Sequence, residues 1–352
     1  MGIKNKLENH GIKEKEGALT TFVPSRFNEE YYKTFKTTLV LPSSFKLPIQ
    51  IDFNDSEIPN GKQEFYLLDY KSNTDFLVVN QKLSEFEKNI LTFIGLFRYV
   101  QKYQIIKEFG LDIPGKLLKE ALNNLHNLFL IDVRRFERSE GGEAECYSIN
   151  RNGTYFLTYF SLLSKEDAFH WGDEFEANDN LQPIRCWKIV DAYQVMKMSS
   201  FFKSYNAQKY FLPKPYTVSK GNKKSRKKIY LRKFKVDGEL VFENSQFEYY
   251  FDLYPVCNDL DIANLFYGLQ HWATMIEEQR YLLIIVDSWS MIEKINEHYN
   301  LADYEGNLVF LDLEQVQNED MLSCLYQYDR DQGEMAIMKF KLKESLLEKE
   351  EK

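Results

Sequence analysis

Cysteine is scarce in this chain, and what there is has no pattern. Cys146, Cys186, Cys257 and Cys324 stand far apart, with no CxxC and no spacing of the kind a zinc site uses. The expectation is a reduced protein without a disulfide framework. The five histidines are equally scattered, and His126 and His271 fall inside helical patterns, where packing or surface roles are ordinary. No HxH is present, which removes the paired-histidine chemistry of rolling-circle nucleases and relaxases. No apolar run approaches the roughly 18 residues of a transmembrane helix. The opening "MGIKNKLENHGIKEKEG" has charge but no apolar signal core, and Lys6 stands where a myristoylation signal needs Ser or Thr. A cytoplasmic protein with no membrane partner is expected. P-loop, GxGxxG, GxSxG and HExxH motifs are all missing, which excludes the commonest nucleotide, hydrolase and metalloprotease chemistries.

What is present is bulk and one unusual charge pattern. At 352 residues with 44% hydrophobic and 15% aromatic side chains, the chain can build two or three cores. Its formal net charge is −8, yet "KGNKKSRKKIYLRKFK" (220–235) holds nine Lys or Arg and no acid. A concentrated cationic strip in an acidic protein points to an anionic partner.

Residues 1–83 alternate like short strands broken by Pro42, Pro48, Pro59 and Asn60-Gly61, and read as a strand-rich embellishment. Ser84 opens a helix through the capping box Ser84-Glu85-Phe86-Glu87. A second helix over about 101–109 stops at Gly110, and a third begins at Pro114 with its apolar stripe on Leu117, Leu118, Ala121, Leu122, Leu125 and Leu128. Two strand-like arms follow, with Gly141-Gly142 at the tip. Three helices and a hairpin, over 84–163, have the order of a winged helix-turn-helix. Residues 164–180 are acidic and read as a linker. Residues 181–340 alternate helix, several strands, helix and strand, as an α/β domain of nuclease type does. A charged tail closes the chain at 341–352. The fold class expected is mixed α+β: a winged helix-turn-helix, then an α/β domain resembling a degenerate restriction-endonuclease-like fold.

Three constellations carry chemistry. The third helix offers Lys116, Lys119, Asn123, Asn124 and Asn127, with Arg134 and Arg135 on the first wing arm. Asn pairs with adenine edges and Lys neutralises phosphate. Against this, residues 84–151 hold ten basic and ten acidic side chains, a balance that also suits a protein-binding module. The cationic strip, with Lys220, Lys223, Lys224, Arg226, Lys227, Lys228, Arg232 and Lys233, reads as a flexible loop leading into a strand and able to contact several phosphates. The third constellation lies in "KVDGELVFENSQFEYYFDLYP", where Asp237 precedes Asp252 by fifteen positions. Strand alternation puts Asp252 and Tyr254 on one face, the arrangement of a carboxylate-x-Lys magnesium site. Tyr254 stands where such a site needs a lysine. Asp237-Gly238 is equally a standard hairpin turn pair. Three readings stay open: an inactive nuclease-like fold, a hairpin in some other α/β fold, and an active nuclease using Asp237 and Asp252.

The succession "LLKEALNNLHNLFLIDV", then "KVDGEL…FEYYFDLYP…LFYGLQHWATMI…YLLIIVDS", resembles the replication-relaxation proteins of plasmids and conjugative elements of Gram-positive bacteria. The resemblance covers about 84–310 and departs from the nuclease pattern at Tyr254. It implies a non-catalytic DNA-binding accessory in plasmid replication, partition or transfer. Double-stranded DNA is the expected partner, with protein partners in a replication or transfer complex and self-association compatible with it. No cofactor is implied, magnesium entering only with the endonuclease alternative.

Overall fold

The computed structural model describes residues 37–40, 73–109, 113–137, 143–164, 181–211, 216–219, 226–229, 234–243, 247–265, 279–298, 301, 308–316, 324–329 and 333–337. They divide into two units, with the boundary between Trp187 and Lys188.

The first unit is built on capped amphipathic helices against a small sheet. Its elements are β1 (Thr37–Val40), α1 (Asn73–Lys82), α2 (Glu85–Phe97), β2 (Tyr99–Gln101), α3 (Lys102–Phe109), α4 (Gly115–Asn127), β3 (Ile131–Glu137), β4 (Glu143–Ile149) and α5 (Arg151–Tyr159). The capping box forms as the sequence predicts. Glu87 N–H donates to Ser84 Oγ at 3.3 Å, and Ser84 N–H donates to Glu87 Oε2 at 2.7 Å. From that start Ile90, Leu91, Phe93, Ile94 and Phe97 turn inward. The sheet runs β1-β3-β4-β2, all antiparallel. Asn150 caps α5 by accepting from Gly153 N–H at 3.0 Å, while its Nδ2 donates to Phe129 O at 2.9 Å. A Cβ on Gly153 would run into Leu130 O, so this helix start sits too close to the chain before β3 for any side chain.

One expectation for residues 1–83 needs correction. "TDFLVVN" alternates like a strand but lies in α1, where Phe76 and Val79 are buried, with Leu83 buried just past its end. Packing of Phe76 on Tyr159 and Phe156 overrides the β-preference of the paired valines. Strand β1 of the same region pairs along β3, from Thr37↔Phe136 to Val40↔Val133. The Gly141-Gly142 tip, the acidic linker over 165–180 and the tail over 341–352 lie outside the described residues.

The second unit is a seven-stranded mixed sheet. Helix α6 (Leu181–Met196) straddles the boundary. Then come β5 (Phe202–Phe211), β6 (Tyr216–Ser219), β7 (Arg226–Ile229), β8 (Phe234–Glu243), β9 (Glu248–Pro255), β10 (Arg280–Val286), α7 (Trp289–His298), β11 (Leu308–Asp312), α8 (Leu313–Val316), β12 (Leu325–Asp329) and β13 (Glu334–Ile337). The strand order is β13-β12-β11-β10-β9-β8-β5. Strands β9, β10 and β11 are parallel, and the strands on either side are antiparallel. Parallel pairing needs covered crossovers. Helical residues 259–265 leave β9, and α7 joins β10 to β11, so every residue of β10 is buried. Leu282, Ile284 and Val286 meet Ile292 and Ile295 of α7 in this core.

Asp237-Gly238 is not a turn. Strand β8 runs straight through it, with Gly238 opposite Ala207 on β5 and opposite Leu253 on β9. The glycine is required by packing, because a Cβ there would lie 2.7 Å from the Tyr205 ring. Gly238→Ala is therefore expected to lose about 1–3 kcal/mol of stability. In urea unfolding of the single and double variants, Tyr205→Ala should recover part of that loss, giving a non-additive cycle.

Candidate nucleic-acid interface and a buried charge cluster

Helix α4 exposes only part of the face its sequence suggests. Leu118, Ala121, Leu122 and Leu125 are buried, leaving Lys116, Lys119 and Asn123 at the surface. Lys116 is fully extended into solvent, with Glu120 3.7 Å away. Asn124 is otherwise engaged: its Nδ2 donates at 2.7 Å to Glu87 Oε1, so the carboxylate that caps α2 also anchors α4. Asn127 is buried in the last turn, where the chain bends inward to Leu128 and Phe129. These two asparagines are structural and do not belong to a base-reading face. Arg135 is exposed and lies 3.6 Å from Glu145, directly across the β3–β4 ladder. Arg134 is half-buried on the opposite face, in register with Cys146. Burial pushes the Cys146 thiol up to about 12, so it stays protonated and is no nucleophile.

Among the described residues, part of the cationic strip is strand and not loop. Strand β7 carries Arg226, Lys227 and Lys228 and pairs antiparallel with β6, from Tyr216↔Ile229 to Ser219↔Arg226. These two strands form a sheet of their own, separate from the seven-stranded one. Lys220, Lys223 and Lys224, and Arg232 and Lys233, lie outside the described residues.

The two aspartates of the nuclease reading do not form a pair. Asp252 stands directly opposite Glu239 in the β8–β9 register, and Asp237 is two positions further along β8. Asp252 is fully buried, and Arg280 Nη1 donates to its Oδ1 at 2.8 Å and its Oδ2 at 3.0 Å. The same Nη1 donates to Glu239 Oε2 at 2.6 Å, and Asn206 Nδ2 donates to Glu239 Oε1 at 3.0 Å. The guanidinium lies over the Tyr250 ring, 4.6 Å from its centroid. Burial opposes the charge on Arg280, but Asp252 and Glu239 outweigh it and hold the proton more tightly than usual.

This donor set does not fit magnesium, because both Asp252 oxygens already face a cation that the chain supplies. Tyr254 fills the lysine position as a core residue, its hydroxyl donating to Asp261 O at 3.0 Å. Among the described residues, no group of three His, Cys, Asp or Glu side chains is placed to hold a metal ion, and no helix is long and apolar enough to cross a membrane. Sequence reasoning missed Glu239 and Arg280. The available signal was an Arg opening the apolar run "RYLLIIV", since a charge there needs a buried partner.

A second buried pair closes the carboxyl ends of the parallel strands. Lys188 Nζ donates to Val256 O at 2.6 Å and lies 2.7 Å from Asp287 Oδ1, with no solvent exposure. Burial works against the Lys188 charge, but Asp287 and neighbouring acids more than restore it. Burial also pushes the Asp287 carboxyl above the usual range despite Lys188. Comparison with protein families, curated proteins and solved structures finds no match to this chain.

Two outcomes follow. Arg280→Met should cost about 3–5 kcal/mol in chemical denaturation, because it leaves two buried carboxylates without a cation. Lys188→Met should cost a similar amount near neutral pH. A carboxyl whose folded pKa is raised favours the folded state only while protonated. The Lys188→Met deficit should therefore shrink as pH falls through the Asp287 pKa, which unfolding curves at graded pH would read.

Proposed function

We propose that this chain is a non-catalytic DNA-binding protein, acting as an accessory in the replication, partition or transfer of a plasmid or other mobile element. The observation that carries the reading is the cationic strip: in an acidic chain it holds nine Lys or Arg and no acid over 220–235, and Arg226, Lys227 and Lys228 of it lie on a two-stranded ribbon. Local charge of that density serves binding to an extended polyanion better than it serves folding.

The first unit supports the same reading. Its order α2-β2-α3-α4-β3-β4, with β3 and β4 antiparallel, is consistent with a winged helix-turn-helix and supports that part of the proposal. In this reading α4 serves as the recognition helix, which the exposure of Lys116, Lys119 and Asn123 supports. The order of α6, β5, β8, β9, a helical crossover and β10 follows the nuclease-like succession, and Arg280 supports a platform role over cleavage. The mobile-element context rests on the resemblance to replication-relaxation proteins.

Fluorescence anisotropy with a duplex of about 20 base pairs, at low and near-physiological salt, tests the reading. Binding that weakens steeply with salt is expected, with no strand cleavage when magnesium is added. Lys116→Gln with Lys119→Gln should weaken binding to all sequences, while Asn123→Ala should relax discrimination by about 1–3 kcal/mol at one position. Absence of binding at low salt would sink the proposal and turn attention to a protein partner for α4.

A further inference from the structure

The ribbon β6–β7 continues a hairpin that belongs to the main sheet. Strands β5 and β8 pair as far as Phe211↔Phe234, and the ribbon pairing resumes at Tyr216↔Ile229. Four residues intervene on each side, 212–215 and 230–233. Pro213 and Pro215 lie in the first of these stretches and have no N–H to donate to a ladder. Stretches of this length span at most about 18 Å, which keeps the ribbon at the Phe211–Phe234 end of the β5–β8 hairpin.

The charge pattern extends well beyond the ribbon. From 192 to 236 the chain has thirteen Lys or Arg and no Asp or Glu, in a protein whose net charge is −8. The whole arm, from its root in β5 to its return in β8, is free of acid.

Position along the strand adds a further constraint. Arg226, Lys227 and Lys228 are consecutive in β7. Successive strand positions alternate between faces, so cationic positions fall on both faces of the ribbon. A ribbon lying flat against a charged surface needs cations on one face only. Cations on both faces match an anion on both sides, which is what a groove between two phosphate backbones provides. The major groove of B-form DNA, about 12 Å wide and 8.5 Å deep, admits a two-stranded ribbon. The A-form major groove is deep and narrow and does not.

We infer that β6–β7 is an arm that inserts into the major groove of B-form duplex DNA and neutralises phosphates on both walls, independently of sequence. This rests on the DNA-binding reading above and assigns to the arm the shape of its ligand.

The test is a salt titration of binding by the full chain and by Arg226→Gln/Lys227→Gln/Lys228→Gln. The probes are a duplex DNA, a duplex RNA of the same sequence, and polyglutamate. Because the ribbon is not paired to the seven-stranded sheet, the variant should fold, with an unchanged melting curve as the control. On DNA, the logarithmic salt slope should fall in magnitude by about 2–3, close to one unit per lost phosphate contact. Lys227→Arg/Lys228→Arg should keep the parent slope, and the RNA slope should be the same for parent and variant. An equal change on RNA or on polyglutamate would overturn groove insertion in favour of general polyanion or acidic-protein binding. An unchanged DNA slope would overturn the arm's role while leaving α4 as the DNA contact. If the parent chain binds no DNA at all, both the arm and the DNA-binding reading fall.

Discussion

A guanidinium with little exposure to water holds two buried carboxylates together, and much of the second unit is organised around that fact. Asp252 and Glu239 face each other across β8 and β9, where two like charges would repel strongly without water between them. Arg280, at the first position of β10, lies beside both and against the Tyr250 ring. Three neighbouring strands are thereby tied through side chains as well as through their ladders. The pairing also favours one register, since a one-residue slip would turn Asp252 to the opposite face and away from its cation. Buried ion pairs are weak contributors to net stability but strong penalties against wrong arrangements. The same cation that stabilises the carboxylates occupies the Asp252 oxygens that a metal would need.

The first unit uses one carboxylate and two asparagines for a comparable purpose. Glu87 caps α2 and receives Asn124 from α4, so one carboxylate sets both the start of a helix and the position of its neighbour. Asn150 caps α5 and reaches back to Phe129 O, fixing the corner between α4 and β3. These bonds leave α4 with a short outward row of Lys116, Lys119 and Asn123. A surface with Glu120 and the Arg135–Glu145 pair close by carries modest charge. The densest run of positive charge in the chain lies instead over 220–235, in the other unit.

Short-range signals in the sequence determined much of the architecture. The Ser84–Glu87 box, Pro114 before α4, the leucine stripe of that helix and the apolar run of β10 each act within one or two turns or along one strand. Hydrogen bonding and burial over such windows depend on residue order alone. Only the tertiary structure decided the rest. Asp237-Gly238 has the chemistry of a turn, yet Tyr205 packing over Gly238 makes it strand interior. "TDFLVVN" has the composition of a strand, yet aromatic packing on α5 makes it helix. Asn124 finds its acceptor 37 residues away, and Asp252 its cation 28 residues away. Those pairings are set by strand register and helix packing, and spacing along the chain carries no information about either. The sequence alone therefore determined where the charge is concentrated and where the capped helices and the apolar strand β10 lie. The folded chain decided which polar residues serve packing and which are left free to meet a partner, because that choice depends on what lies across the fold.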